Sequence, residues 1–442
     1  MKKLRQELED RWLLFQSTND KLFEDFDEWG KNFYCGFDPT ADSLHLWNFI
    51  GFMVAVHIMR RGNKYTALTG WATGMIWDPG WKDAERTFLS EQDLENNQKS
   101  IENQIGSILN NLSEFTWEGF KFDFVNNKEF YKNMWYLDFL REVWKYITIN
   151  VMMSKDTVKK RIEDPKQSIS YTEFSYMLLQ WYDFSKLYND DWVKLQIWGQ
   201  DQWWNLVTGT EIIRKKYDAE TYALTWPLIT DATGRKFGKS EWNAIWLDKS
   251  KTSPYEIYQY FMNTNDDDIS RYLKMLTLIE TEEIDVKVAE HLKTPENREW
   301  QKLLAYKVVE IIHWTFEAAT AEEITKFMFW YKEVFNWCTS DIIESIEEKR
   351  VYELKHLNDD KIKSFQNAMW GFNYVDENLF ETIVKSWLAK SNSEARQAVQ
   401  SWAININEEK ISDFNHDFSG DFINDKVLLI RKGKKNFRII SK

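Results

Sequence analysis

Residues 34–86 read YCGFDPTADSLHLWNFIGFMVAVHIMRRGNKYTALTGWATGMIWDPGWKDAER, and this stretch decides the fold. A short apolar run at 34–37 stops at Asp38, Pro39 and Thr40, a turn of the kind that ends a strand. From about Leu44 the pattern turns helical, and a second apolar run, KYTALT at 64–69, closes on glycine. That is one βαβ unit. The turn between a strand and a helix N-terminus presents unpaired N–H groups and the positive end of the helix dipole, where a phosphate can settle. His45 and Asn48 stand at i and i+3, on one face of the first helical turn, and both can donate to phosphate oxygens. Taken alone, His-x-x-Asn is more often an ordinary helix start with one buried histidine.

The neighbouring residues reverse that balance. YCGFDPTADSLH at 34–45 closely resembles the first active-site segment of bacterial tyrosyl-tRNA synthetases, and HLWN stands where that class I synthetase family carries HIGH or a close variant. TGWATGMIWDPGWKDAER at 69–86 resembles the family's next loop, with Trp71, Trp77 and Trp81 where the family has glycine. In SYTEFSYMLLQWYDFSKLY at 170–188, Tyr176, Gln180 and Asp183 are spaced i, i+4, i+7 and share one helix face, with Phe174, Leu178 and Trp181 opposite. Such a polar row is usually a solvated face; the resemblance makes it the wall of an amino-acid pocket. LQIWGQDQWWN at 195–205 resembles the family's strand and loop at the adenylate, and GRKFGKSEWNAIWLD at 234–248 resembles its KMSKS loop in the KFGKS form. A lone Lys-x-x-Lys is a common surface pattern; in chain order after the first motif it is a strong signal.

The resemblance implies roles residue by residue. Tyr34 and Asp183 address the phenol of L-tyrosine, Thr73 and Asp78 hold its ammonium, and Tyr176, Gln180 and Gln202 complete the tyrosine set. Gly36, Asp38, Gly199 and Asp201 contact ATP, the last two at the ribose, while Thr40, His45 and Asn48 lie on the phosphates. Lys82, Arg86, Lys236 and Lys239 take the departing pyrophosphate, as mobile cations near developing charge would. Mg2+ accompanies ATP, and no metal is bound by the protein itself. A phenol-binding Tyr–Asp pair speaks against the related tryptophanyl enzymes.

Length and composition set the frame. With 442 residues the chain is long enough for two or three domains, and a net charge of −13 argues against indiscriminate nucleic-acid binding and against DNA as a partner. Cys35 and Cys338 are far apart, and six scattered histidines form no ligand cluster, which fits a reduced cytoplasm. The N-terminal MKKLRQELEDRW has no apolar run behind it, and the apolar stretch 49–59 is too short to span a bilayer, so no membrane role is expected.

In chain order, 4–15 reads as a helix in a packing arm. The stretch 90–112 reads as a helix burying Leu94, Ile101, Ile105, Ile108 and Leu109. KFDFVNN at 121–127 is strand-like and 135–153 helical; in the family this region meets a second subunit, which implies a homodimer. From Ser253 to about 350 the pattern is helical, where the family places its anticodon-binding helices, and about 358–378 reads as a linker. The segment 381–413 resembles the small RNA-binding fold at the C-terminus of many bacterial tyrosyl enzymes. The last 17 residues hold seven Lys or Arg and no acid, a cationic tail suited to tRNA(Tyr). The expected architecture is α/β: a Rossmann-like nucleotide-binding catalytic domain with a helical insertion (1–245), an α-helical domain (246–352), a linker (353–377) and a small α+β RNA-binding domain (378–442). The implied reaction activates tyrosine with ATP to tyrosyl-adenylate and transfers it to the 3′ end of tRNA(Tyr).

One compositional fact cuts across this. The chain has 24 Trp and only 16 Gly, although glycine ordinarily makes up roughly 7% of a chain. Against the family pattern, Trp47, Trp71, Trp77, Trp81, Trp144, Trp198, Trp204, Trp242, Trp387 and Trp402 stand at glycine positions, while intervening residues keep the pattern. One-directional exchange of this kind is what a UGA codon read as glycine by the organism, but translated as tryptophan, produces. The competing reading is an inactive synthetase paralogue retained as an RNA-binding protein.

Overall fold

The computed structural model describes residues 2–76, 89–153, 156–163, 169–230, 237–238, 244–291, 294–329, 346–369, 371–374, 378–433 and 436–442. The chain divides into two units, Met1–Asp248 with Asn265–Asn297, and Lys249–Thr264 with Arg298–Lys442. Residues 265–297, inside the stretch expected to form the helical domain, thus cluster with the first unit.

The first unit is built on a six-stranded sheet: β1 (Gln16–Ser17), β2 (Asn32–Phe37), β3 (Lys64–Thr69), β4 (Lys121–Asn126), β5 (Val193–Gly199) and β6 (Tyr222–Trp226). Its order is β1-β6-β5-β2-β3-β4, with β2 to β6 parallel and β1 antiparallel on β6. The expected βαβ unit is present: β2 and β3 pair through Tyr34↔Thr66 and Gly36↔Leu68, joined by the helix Leu46–Met59. Continuous apolar runs such as Phe33-Tyr34-Cys35 suit parallel strands, because helices cover both faces. The connecting helix is buried on nearly every side, from Phe49 to Met59, and so has no polar face to offer solvent. Strand order reverses between β2 and β5, and at such a switch point the carboxyl ends of the strands leave an open crevice.

The helix Glu91–Thr116 buries the expected stripe and Leu112 besides, and Ser90 caps it by accepting from the Asp93 N–H. Two expectations change. The first helix spans only Leu4–Asp10, because the backbone turns left-handed at Trp12 (φ 59). The stretch 135–153 is not one helix but the helices Tyr136–Glu142 and Ile149–Met153 with a 3-10 turn between them. The β-branched pair Ile147-Thr148 interrupts the helix, and Ile147 is extended (φ −129, ψ 139). No helix among the described residues is long and apolar enough to cross a membrane.

In the second unit the helix Pro254–Met262, started by the Ser253 cap and a proline at its first turn, packs on Glu299–Phe329. The stretch expected as a linker carries the helix Asp359–Ala368, whose Phe365 ring meets Phe327 edge-on with centroids 5.6 Å apart. An amphipathic pattern short enough to pass for polar linker hid it. The C-terminal part is α+β: strands β7 (Ile404–Ile406), β8 (Glu409–Lys410), β9 (Val427–Lys432) and β10 (Asn436–Ser441) in antiparallel order β10-β9-β7-β8. The helices Leu379–Lys385 and Asn392–Gln400 close its core with Ile383, Ala395 and Val399 against Leu428, Ile430 and Ile440.

The cationic tail is not the open patch that its composition implies. Arg431 pairs with Glu408 at 2.6 Å, Lys432 with Glu394 at 2.7 Å, Lys426 with Asp359 at 2.8 Å and Arg438 with Glu256 at 3.3 Å, while Lys442 pairs with Asp425. These acids come from outside the last 17 residues, which is why a count along the tail missed them. Lys434 and Lys435 lie outside the described residues.

Candidate functional site

A cavity of about 300 Å³ opens at the carboxyl ends of β2, β3 and β5. Of the residues singled out in the sequence, Tyr34, Gly36, Asp38, Thr40, His45, Asn48, Thr73, Tyr176, Gln180, Asp183 and Gln202 line it. Gly199 and Asp201 stand just beyond, at the end of β5 and in the turn that follows. Asp78, Lys82, Arg86, Lys236 and Lys239 lie outside the described residues, as do Trp77, Trp81 and Trp242.

The deep end is a carboxylate held by two donors. Asp183, on the helix Tyr171–Asp191, is 1% exposed; Asn127 Nδ2 donates to its Oδ2 at 2.9 Å and the Tyr131 hydroxyl to its Oδ1 at 2.8 Å. Burial pushes the Asp183 carboxyl up to about 7, against the pull of those two hydrogen bonds and with the help of the Asp38 charge. Beside it, on β2, the Tyr34 hydroxyl is buried without a hydrogen-bond partner. Burial, and then the Asp183 charge, raise that phenol well above its ordinary value, so it stays protonated. A buried hydroxyl and a buried carboxylate with spare lone pairs form a receptor for one further polar group. The polar row on this helix is therefore buried wall, not solvated face.

The middle of the cavity is organised by Asp38. Thr73 Oγ1 donates to Asp38 Oδ1 at 2.6 Å and the Tyr176 hydroxyl to Oδ2 at 2.7 Å, so Asp38, read as an ATP contact, joins the residues read as holding the amino acid. Gln180 Oε1 is buried with no hydrogen-bond partner. This acceptor-rich wall suits a cation.

The shallow end is the start of the helix Leu46–Met59. His45 is its N-cap residue, and Asn48 Oδ1 accepts from the His45 N–H at 3.0 Å. The cap commits that oxygen and leaves the Asn48 amide nitrogen as the donor toward the cavity. The His45 ring lies 4.1 Å from the Trp246 ring, and the Leu46 N–H donates to Ile245 O and the Leu247 N–H to Leu44 O, both at 2.8 Å. Phe237 and Gly238 are the described part of the KFGKS loop. A Cβ built on Gly238 (φ +76) would lie 3.3 Å from Leu46 Cβ and from the Trp47 N, so the loop packs against the helix start because glycine stands there. The two motifs, far apart in sequence, thus adjoin.

Two tryptophans intrude. Trp198 lines the cavity, its ring 5.5 Å from that of Phe37, and a Cβ built on Gly199 would lie 3.3 Å from Trp47 Cζ2. The indole of Trp47 thus abuts the backbone expected to receive a ribose.

Sequence reading missed Asn127 and Tyr131. Asn127 had a signal, since a polar doublet closing an apolar strand at the carboxyl edge of a parallel sheet faces the crevice. Its Oδ1 accepts from the Ala72 N–H at 2.8 Å, which fixes the amide's orientation toward Asp183. Tyr131, in a polar stretch, had none.

Comparison with known proteins agrees with this geometry. Residues 31–329 match the family model "tRNA synthetases class I (W and Y)", which defines the chain as a class I tRNA synthetase of the tryptophan and tyrosine branch. Residues 361–440 match the "Tyrosine--tRNA ligase SYY-like C-terminal domain". The chain is 40% identical over 442 residues to a tyrosine–tRNA ligase of Streptococcus pneumoniae, covering 98% of this chain and 99% of that one. It is 39% identical over 439 residues to that of Streptococcus mutans, covering 99% of each. A C-terminally truncated mitochondrial tyrosyl-tRNA synthetase of Aspergillus nidulans superposes with a TM-score of 0.68 at 29% identity, covering 74% of this chain and 95% of that one. The chain belongs to the tyrosine–tRNA ligase family.

Proposed function

We propose that this chain activates L-tyrosine with ATP and transfers the tyrosyl group to the 3′ end of tRNA(Tyr). The observation that carries the reading is the pair at the bottom of the cavity. Tyr34 has a buried hydroxyl with no partner, beside the buried carboxylate of Asp183, and a substrate phenol can donate to the carboxylate and hydrogen-bond with that hydroxyl. Phenylalanine would leave the Tyr34 hydroxyl unpaired and Asp183 with only its Asn127 and Tyr131 donors, and an indole carries no hydroxyl to offer the pair; the cost of a buried unpaired group is the basis of selection.

In the first step the tyrosine carboxylate attacks the ATP α-phosphorus in line, and pyrophosphate leaves with the bonding electron pair. Asp38, Thr73, Tyr176, Gln180 and Gln202 orient the amino acid, with Asp78 at its ammonium. Gly36, Gly199 and Asp201 receive the nucleoside. Thr40, His45 and Asn48 donate to the phosphates, and Lys82, Arg86, Lys236 and Lys239 stabilise the pyrophosphate charge as it forms. Little covalent work falls to the protein; orientation and charge stabilisation dominate. Mg2+ enters with ATP as the counter-ion of its phosphates. In the second step the terminal ribose hydroxyl of tRNA attacks the adenylate carbonyl and releases AMP.

We assign catalysis to residues 1–245, anticodon contact to helices within 246–352, and a second tRNA contact to 378–442, with 120–150 as the face of a homodimer, in the cytoplasm. The competing reading as an inactive RNA-binding paralogue has no observation in its favour beyond the tryptophans themselves. Tyrosine-dependent ATP–pyrophosphate exchange tests the assignment; exchange stimulated by tryptophan instead would overturn it.

A further inference from the structure

We propose that Tyr131 is a specificity-setting residue, whose hydroxyl holds Asp183 in the state and orientation that accept a substrate phenol; this rests on the ligase reading above. Tyr131 closes the short helix Lys128–Tyr131, and its hydroxyl lies 2.8 Å from Asp183 Oδ1 and 3.0 Å from Leu179 O. One proton thus serves two acceptors. Toward an ionised Asp183 the hydroxyl donates; toward a protonated one it turns its proton to Leu179 O and accepts. Asn127 cannot turn in this way, because its Nδ2 only donates. Among the described residues, the titratable groups facing Asp183 are Tyr34 on β2, Asp38 after β2, Tyr182 on its own helix, and Tyr131. Of these, Tyr131 donates a hydrogen bond to the carboxylate, and losing that bond favours the neutral acid, which has one acceptor fewer for tyrosine.

The test is Tyr131→Phe, with tyrosine-dependent pyrophosphate exchange followed against pH. The pH at which kcat/KM for tyrosine rises should move up by about one unit. At neutral pH the KM for tyrosine should increase and discrimination against phenylalanine fall, with kcat and the KM for ATP held. An unmoved profile, or equal losses in all three constants, would overturn the role. Wild-type exchange indifferent to tyrosine would instead overturn the ligase reading.

A second, independent observation concerns the backbone. Twelve described non-glycine residues have positive φ, and six of them are tryptophan: Trp12 (59), Trp117 (57), Trp192 (54), Trp314 (80), Trp387 (59) and Trp402 (58). Bulky residues rarely adopt this region, and glycine does so freely. Five of the six stand at a helix C-terminus, Trp117 and Trp192 as the next residue and Trp12, Trp387 and Trp402 one residue further on. After Trp12, Trp117, Trp387 and Trp402 the hydrogen bonds form the paired pattern of a glycine cap, for example the Trp387 N–H to Val384 O at 2.9 Å and the Leu388 N–H to Ile383 O at 3.1 Å. Trp192 makes the simpler form, to Tyr188 O at 3.0 Å. Trp314, at φ 80 and ψ 161, occupies a region that is essentially glycine's alone. Nor does burial repay the strain at the most exposed of them: Trp117 is 95% exposed and Trp387 73%.

The geometry points to glycine at all six positions in the functional protein. Trp387 and Trp402 were already marked by the family pattern; Trp12, Trp117, Trp192 and Trp314 are added by the backbone alone. The gene should read UGA at these six codons and UGG at Trp203, which has ordinary helical angles (φ −48, ψ −49). The protein isolated from its own organism should yield peptides with glycine there, and replacing the six tryptophans by glycine in the chain as written should raise its melting temperature by several degrees. UGG codons at Trp117, Trp192 and Trp314, tryptophan in the native peptides, or a lowered melting temperature would each overturn the inference.

Discussion

Replacing Asp183 by asparagine should make the protein more stable at neutral pH while impairing tyrosine selection. The carboxyl is wholly buried, and its ionisation is moved from 3.8 to about 7. In the unfolded chain it ionises near its ordinary value, so the folded state binds the extra proton across that window. Stability is then fully present below about pH 4 and is lost as pH rises toward about 7. A shift of about three units corresponds to about 4 kcal/mol in the limit. Asparagine escapes this cost: its oxygen accepts from Asn127, and its nitrogen donates to the Tyr131 hydroxyl, which turns to Leu179 O. Urea unfolding without tyrosine, followed in the transition that added tyrosine shifts, compares wild type and D183N. The advantage of D183N should widen by about 2–3 kcal/mol between about pH 5 and pH 8. A difference that does not change with pH would refute the buried-carboxylate argument, because titrating groups that do not interact with Asp183 cancel in the comparison.

Three further outcomes are expected. His45→Ala should slow adenylate formation by about tenfold to a thousandfold with little change in the KM for tyrosine, measured by single-turnover kinetics, since His45 addresses phosphates and not the phenol. Glu408→Gln should cost about 3–5 kcal/mol in chemical denaturation, because Arg350 and Arg431, 6% and 14% exposed at the side chain, would share no carboxylate. His57 is held well below its ordinary 6.5 by burial and by the charges of Arg11, Arg60 and Arg61, so it is neutral in the fold. The stability it contributes is present above about pH 6.5 and falls away as pH drops, and His57→Gln should flatten that acid limb in melting curves.

Much of the site was legible because strand ends and helix starts leave local signatures. The βαβ unit followed from the turn at Asp38 and the apolar runs on either side, and the face shared by Tyr176, Gln180 and Asp183 followed from helical spacing. What stayed hidden depends on contacts between distant residues. Tyr131 reaches Asp183 across 52 positions, and Glu408 neutralises Arg431 only because β7 and β9 pair. The Asp359–Ala368 helix was missed for a local reason, its few buried residues, Ile362, Phe365, Gln366 and Ala368, being diluted by charge. The left-handed caps at Trp117 and Trp192 were invisible for another: a tryptophan gives no hint of positive φ, whereas glycine would have announced a helix end.

Amino-acid-dependent ATP–pyrophosphate exchange by the protein carrying glycine at the assigned tryptophan positions tests the central claim most directly. Exchange stimulated by tyrosine, and not by phenylalanine or tryptophan, is the predicted result. Exchange driven by tryptophan, or none with any of the three, would contradict it.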